Sequence, residues 1–587
     1  MLLNGSPLNA VPLNGGAPGN SEPPAVAVDP VVSVLWDVRL MLGGVDVSAN
    51  LTGQVRIERE EGAATLADFV LSLDAGPVNP ASYIGQSVSI YYRHWSGSAW
   101  TETLRFVGQV IRPQYSMQER LISCDCSDRL QDAIEAMTVA QVDTLTGGAW
   151  SADVFEVPEG RSRWDYAQER MSTRPASLQK NTVGALEVTN WAAGAPAFVF
   201  PPGSVLDQSM DWIPVELNER VNVVELEFDY RFTRLRERHQ DFTWMHPDIV
   251  GTTIPNSFCL WRTATTNLPT VDMVVDACRD AGYQAVLSGA AWVELPPTGV
   301  YCSPPTPWIN SLKSLGLLLG GTWTAARRWT QAITEQYRLR VEAPQSIVQA
   351  GEVIRRDRIT SESQSDRAQE FEGAAFESPE PDAVQDSMGD WVADLREAGR
   401  LDAAITVGVS MARVQILSSH RDNRLGFQLP TVDTLGVTLE NTIRVEDEVA
   451  GESIACQAKV FSLADEWSFD DGSAITTVLL AVSQGGGDVD DPVAPPAPPP
   501  TTPTGSTTST ITLPSQLGGE YDGQPPYDVL IDGFSGNYDN AWSTAAEVFP
   551  IRMTVPIPEI PADNQDEFIA QRATTYRVAI QNDVLEL

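Results

Sequence analysis

Three things are scarce in this chain, and each scarcity argues against a class of function. Its 587 residues carry only six cysteines and four histidines. Cys259, Cys278, Cys302 and Cys456 stand alone, and Cys124 and Cys126 form the single close pair. Six thiols so scattered do not build a disulfide scaffold. Positive charge is scarce too: 39 Lys and Arg face 78 Asp and Glu, a formal net charge of −39. A surface of that sign repels nucleic-acid phosphates and anionic membranes alike. Long apolar runs are missing, and no window reaches the ~18 consecutive apolar residues that would suggest a membrane span. The opening "MLLNGSPLNAVPLNGG" has no basic start and no unbroken apolar core, so it does not read as a secretory signal. Together these predict a protein made in a cytoplasm and released, if at all, by a route other than secretion.

What is present is the material for large β-rich cores. Hydrophobic residues make up 42%, with 16 Trp, enough to exclude a disordered chain. The length suits roughly three to four domains at about 150 residues each. Residues 1–32 repeat small Leu-Asn-Gly and Pro-Leu-Asn units and read as an extended arm, either free or ordering on a neighbouring subunit. From Val34 to Asp128 apolar residues alternate with polar ones, as in Val55-Ile57, Phe69-Leu71-Leu73 and Val88-Ile90-Tyr92. Gly and Pro breaks fall between these runs. Short alternating strands with frequent turns predict a small antiparallel barrel or sandwich, here over 33–135. A helical run, "DRLQDAIEAM", closes it with Leu130, Ile134 and Met137 on one face.

Residues 136–210 are mixed. "ERVNVVELEFDYRF" alternates as a strand, and "SMARVQILSSHRDNRLGFQLP" is also strand-like. "CQAKVFSLADEWSFDDGSAITTVLLAVSQGGG" predicts a hairpin with an acidic-aromatic turn. The segments 211–244 and 400–487 are therefore grouped as one β-domain. An α+β insert, 245–399, interrupts it, with helices predicted at "TVDMVVDACRDAGYQAVLSG" and "WINSLKSLGLLLGG". Residues 488–510, within "GGGDVDDPVAPPAPPPTTPTGSTTST", have the composition of a Pro/Thr-rich linker. Beyond it, 511–587 reads as a small acidic β-module, tethered rather than packed, with Tyr521, Tyr527, Phe534, Tyr538, Trp542 and Phe549.

Candidate chemistry is thin. Residues 124 and 126 share one strand face, but a tetrahedral metal needs two further ligands and no second Cys/His cluster exists. Packing is the better reading of that pair. His94, His239, His246 and His420 lack any metal-ligand spacing and read as surface or turn histidines. No GxSxG, P-loop or strand-borne GxGxxG occurs. The one basic cluster, "RFTRLRERHQ" from Arg231 to Gln240, reads as a salt-bridged surface or a subunit contact. No catalytic, cofactor-binding or metal residue is assigned, and the chain is not expected to be an enzyme.

The stretch "GQVRIEREEGAATLADFVLSLDAG…YIGQSVSIYYR…LRFVGQVIRPQYSMQERLISCDCSDRLQ" resembles the first barrel of the tail hub proteins of long-tailed, siphophage-like bacteriophages. "PVELNERVNVVELEFDYRF", "ARVQILSSHRDNRLGFQLP" and "DEWSFDDGSAITTVLLAVSQ" resemble the second. The resemblance runs over residues 1–490 and leaves the C-terminal module uncovered. It implies a mainly β fold of two tail-tube-like β-barrels with an α+β insertion. It also implies a homotrimer whose six barrels match a six-fold tube. Implied partners are the distal tail protein and tail tube, the C-terminus of the tape-measure protein and a central fibre or other baseplate protein, with DNA only in transit. The implied location is the tail tip of a virion assembled in the host cytoplasm. The segment "PIRMTVPIPEI" is a candidate for strand addition to such a partner. Two rival readings are a receptor-binding adhesin, through the aromatic residues of 511–587, and a cell-envelope hydrolase.

Overall fold

The computed structural model describes residues 25–28, 34–216, 218–245, 271–286, 291–295, 315–363, 367–372, 380–449, 452–501, 509–513, 515–517, 533–536 and 552–587. The chain is mainly β, with helices inserted between its sheets. Its principal strands are β1 (Trp36–Leu42), β2 (Leu51–Glu60), β3 (Leu66–Ser72), β4 (Ser87–Trp95), β5 (Trp100–Ser116) and β6 (Leu121–Ser127). There follow β7 (Val223–Met245), β8 (Leu315–Glu342), β9 (Ile354–Glu362), β10 (Asn423–Pro430) and β11 (Thr442–Val449). The last are β12 (Glu452–Ser468), β13 (Ala474–Val482), β14 (Phe568–Arg577) and β15 (Val584–Glu586).

The first lobe forms because its strands alternate. Val38, Leu40 and Leu42 of β1, and Val88, Ile90 and Tyr92 of β4, turn one face inward while their neighbours face out. The strands pair antiparallel in the order β2-β3-β6-β5-β4-β1 and curl around that core. β2 then hydrogen-bonds on its other edge to the second half of β12, from Gln54↔Ser468 to Glu60↔Ser462. The first half of β12 pairs with β11, and β13 lies along its opposite edge and pairs onward with β10. One 17-residue strand therefore belongs to both lobes, with a bulge at Phe461 where the register shifts. The second lobe buries its own core, including Phe427, Val445, Val460 and Leu480.

A second large sheet is built on the β7–β8 hairpin, paired without interruption from Val223↔Glu342 to Met245↔Gly320. β9 runs parallel to β7 on one side, and β14 runs parallel to β8 on the other. Helix Arg400–His420 packs on this sheet through Leu401, Ala404, Ile405, Val409, Ala412 and Ile416. The helix approaches so closely that a Cβ at Gly408 would stand 2.6 Å from the Phe228 ring, so only glycine fits there.

Several expectations change. The 211–244 segment does not lie wholly with 400–487. Asp211–Ile213 pairs with β10, but β7 belongs to the other sheet, because it is satisfied along its full length by β8. Residues Arg400–His420, partly read as a strand, are helical, and Leu401, Ala404, Ile405, Gly408, Val409, Ala412 and Ile416 fall at the three- and four-residue spacings of one helix face. Of the two helices predicted in the insert, Val271–Asp280 forms, with Val274 and Cys278 buried. Leu315–Gly321, predicted as helix, is instead the start of β8, and residues 308–314 lie outside the described residues. The predicted hairpin is present as β12–β13. Of the arm, Val26–Ala27 pairs parallel with Phe198–Val199, and 1–24 and 29–33 lie outside the described residues.

The C-terminal part, expected to be tethered rather than packed, docks on the body through its described residues. Residues 490–501 do not hang free. Asp491 N–H donates to the Arg577 carbonyl at 2.9 Å, Val493 packs on the core of the helix-covered sheet, and Tyr576 OH donates to the Ala494 carbonyl at 2.6 Å. The chain end then runs as β14 in one sheet and as β15 in the other, where Leu585 lies opposite Cys456. Proline favours extended chain, and extended chain can lie along a body as readily as it can bridge a gap. The tail thus fastens the two sheets together.

Candidate functional site

The chemistry-bearing residues gather at two buried ionic centres. The first lies at the seam between the lobes. β5 carries a bulge at Arg105, because Ile90 pairs with Phe106 and Tyr91 with Leu104. The bulge turns Arg105 inward beside Phe106, against the alternation of the strand. Arg105 Nη2 donates to Asp465 Oδ1 at 2.9 Å and Nε donates to Oδ2 at 3.1 Å, a bidentate pair. Its Nη1 donates to the carbonyls of Thr434 and Leu435 at 3.3 and 3.1 Å. Arg59, from β2, also donates to Asp465, and Thr476 Oγ1 donates to Oδ1 at 2.7 Å. Burial pushes the Asp465 carboxyl up, but the Arg105 and Arg59 guanidinium groups outweigh it and hold the group below the usual range. Close by, Arg421 Nη1 donates to Glu61 Oε2 at 2.8 Å, again buried.

The second centre absorbs the basic cluster. Arg234, Arg236 and Arg238 are alternate residues of β7 and share one face. Arg234 pairs with Asp394 (Nε–Oδ1 2.6 Å), and Arg236 pairs with Asp386 at 2.9 Å and with Asp390 at 3.2 Å. Arg238 makes a bidentate pair with Asp390, at 2.6 and 2.9 Å. The C-terminal part joins in: Asn564 Nδ2 donates to Asp390 Oδ2 at 3.0 Å, and Arg234 Nη1 donates to the Thr501 carbonyl at 2.7 Å. Sequence reasoning expected a salt-bridged surface. The pairing is there, but these three arginines are buried, and only Arg231 among the four is exposed.

The remaining candidates are spent on packing. Cys124 and Cys126 point from β6 into the core of the first lobe. Burial pushes the Cys124 thiol up to about 12 and the Cys126 thiol higher still, so neither offers a thiolate near neutral pH. Cys259 and Cys302 lie outside the described residues. His420, expected at a surface or turn, is instead fully buried at the helix end. Its Nδ1 bonds the Ile416 carbonyl and its Nε2 bonds Ser346 Oγ, each at 2.7 Å, and burial lowers it to about 4. The ring is therefore neutral, donating at Nδ1 and accepting at Nε2. His94 and His239 are half-buried, and His246 lies outside the described residues. Among the described residues, no group of three or more His, Cys, Asp or Glu is placed to hold a metal ion.

Of the six aromatics singled out in 511–587, only Phe534 falls within the described residues, on strand Gly533–Gly536. That strand pairs antiparallel with Arg552–Thr554, so the backbone offered for strand addition to a partner already has a partner in this chain. Sequence reasoning missed Arg105, Arg59 and Asp465. Arg59 and Asp465 carry one signal, a charge at an inward step of Val55-Ile57-Arg59 and Leu463-Asp465-Trp467, and Arg105 carries none.

No protein-family model matches the sequence, and no curated protein does. Solved structures similar to the chain are tail proteins and secretion-system components. A tail protein from Neisseria meningitidis MC58 is 11% identical, with a TM-score of 0.35, over 76% of this chain and 96% of that one. The 43 kDa tail protein of prophage MuSo2 from Shewanella oneidensis is 11% identical, with a TM-score of 0.34, over 76% and 98%. The E. coli c3393 protein, a component of the type VI secretion system, is 7% identical, with a TM-score of 0.25, over 78% and 80%.

Proposed function

We propose that this chain is a structural hub at the tip of a phage-type tail. The observation that carries the reading is the continuity of the two β-lobes. The segments of 53–131 that resemble a hub barrel supply the strands of one curled sheet, and β12 extends that sheet into the second lobe. The buried Asp465 centre ties the two lobes at the same seam. Two lobes held in a single sheet behave as one rigid body. Three such chains would offer six lobes to a six-fold tail tube above and a three-fold face to a fibre below. In this reading the ring closes the tube, holds the tape-measure end, anchors fibre or baseplate proteins and opens when DNA leaves. The excess of acids would keep the passing DNA from sticking.

The role is structural rather than enzymatic. The buried cysteines, His420 and the arginine–aspartate centres are all engaged in packing or in one another. Gold-labelled antibodies raised against the purified chain, applied to tailed particles from cells that make it, should mark one end of the tail. Labelling confined to the host envelope, or spread along the tail, contradicts the reading.

A further inference from the structure

β9, "IRRDRITSE", is an unusual strand. It pairs with β7 alone, and among the described residues no strand covers its other edge. Seven of its nine residues are exposed, and the unbroken run Ile354–Arg358 opens about 16 Å of edge at about 3.3 Å per residue. In a chain with twice as many acids as bases it concentrates Arg355, Arg356 and Arg358 within four positions.

The two faces of β9 differ. The register sets Arg356 beside Glu225 and Arg358 beside Glu227, on the solvent face. Arg356 Nε donates to Glu225 Oε2 at 2.8 Å and Arg358 pairs with Asp229, yet their side chains remain 74% and 62% exposed. The opposite face, with Arg355, Asp357 and Ile359, looks toward helix Arg400–His420 across a cleft of about 640 Å³. Val221, Leu226, Met411 and Val414 give that cleft an apolar floor, with Glu219, Arg355, Asp357 and Asp422 also lining it. Charged side chains on an edge also discourage edge-to-edge aggregation, but that role needs no apolar cleft beneath the edge.

We infer that the open edge of β9 accepts an extended segment of a partner protein, in which apolar side chains entering the cleft alternate with acidic ones set against Arg356 and Arg358. Strand addition supplies main-chain hydrogen bonds, and the pockets for alternate side chains supply selectivity. Acidic residues on the partner strand complete pairs that Glu225 and Asp229 satisfy from one side only. A cleft that joins an apolar floor to Glu219, Asp357 and Asp422 does not suit a nucleic-acid backbone, and the charge of the whole chain repels one. The inference stands apart from the ring reading, since a strand acceptor works in a monomer or a trimer.

The test uses the full chain and a dye-labelled nine-residue peptide alternating valine with aspartate, with a valine–lysine peptide beside it, in fluorescence anisotropy. The acidic peptide should bind at least tenfold more tightly than the basic one. R356A/R358A and, separately, M411E should each weaken that binding tenfold or more while the melting temperature holds. Equal binding of both peptides, or unchanged binding by R356A/R358A and M411E, overturns the inference. Tighter competition by a single-stranded oligonucleotide than by unlabelled peptide would overturn it in favour of a phosphate site. Loss of self-association in R356A/R358A, by light scattering, would overturn it in favour of a second copy as occupant.

Discussion

Arg105 and Asp465 meet in a bidentate pair, Nη2 to Oδ1 at 2.9 Å, across 360 residues of sequence. Both are wholly buried, and the pair closes the seam between the lobes. Breaking a buried pair costs more than the pair contributes over an apolar substitute, because a charge is left uncompensated. D465N should therefore cost about 3–5 kcal/mol, since two guanidinium groups lose their carboxylate. Urea denaturation of the variant measures it, and a loss below about 1 kcal/mol, the scale of a surface pair, would show that the centre is not desolvated in solution.

Gly408 and Phe228 set how closely the helix lies on the sheet. A Cβ at 408 meets Phe228 Cζ at 2.6 Å. G408A should destabilise by about 1–3 kcal/mol through overpacking. F228L should recover part of that loss when combined with it, giving a non-additive double-mutant cycle. Additive losses would place the two residues out of contact.

Asp583 makes the C-terminal fastening sensitive to pH. Its Oδ2 accepts the Ser483 N–H at 2.8 Å, and burial pushes its carboxyl up to about 6, against the opposing influences of that bond and of Arg421, itself paired with Glu61. An acid raised in the folded state favours folding when protonated. Its contribution is full below about pH 4 and fades as the pH rises through about 6, at most about 3 kcal/mol for two units at ~1.4 kcal/mol each. Amides of 580–586 should be better protected from hydrogen exchange at pH 5 than at pH 7.5, after correction for intrinsic rates. D583N should flatten the difference, and equal protection in the wild type would contradict the assignment.

Removing 578–587 should expose the Cys456 thiol, which lies opposite Leu585 and is raised to about 12 by burial. Mass spectrometry after brief native alkylation should find Cys456 modified in the truncated chain only, with Cys124 and Cys126 protected in both. Modification of Cys456 in the intact chain would mean that β15 is not docked.

Legibility in the sequence followed the strength of the period. β1, β4 and the β12–β13 hairpin alternate cleanly because one face is buried, so Val88, Ile90 and Tyr92 marked a core directly. Helix Arg400–His420 was obscured because its β-branched and small residues, such as Ile405, Val407 and Val409, satisfy both periods over short windows. The ionic centres were illegible for another reason. Arg105 is aimed by a bulge, and Arg236 finds its acids 150 and 154 residues away, so no local pattern marks either. The docked C-terminus was hidden by composition, since the Pro-rich run of a free tether is also that of a chain laid along a surface.

In the proposed assembly two locked lobes per chain pack three-fold into a ring. The first measurement is light scattering on the purified chain, with negative-stain images of the same sample, and with tail-tube or distal-tail partners added if the chain alone is monomeric. A hub of this kind should be a trimer, at about three times the 63.8 kDa chain mass, showing a ring with a central hole. A compact monomer that no such partner converts to a ring would contradict it.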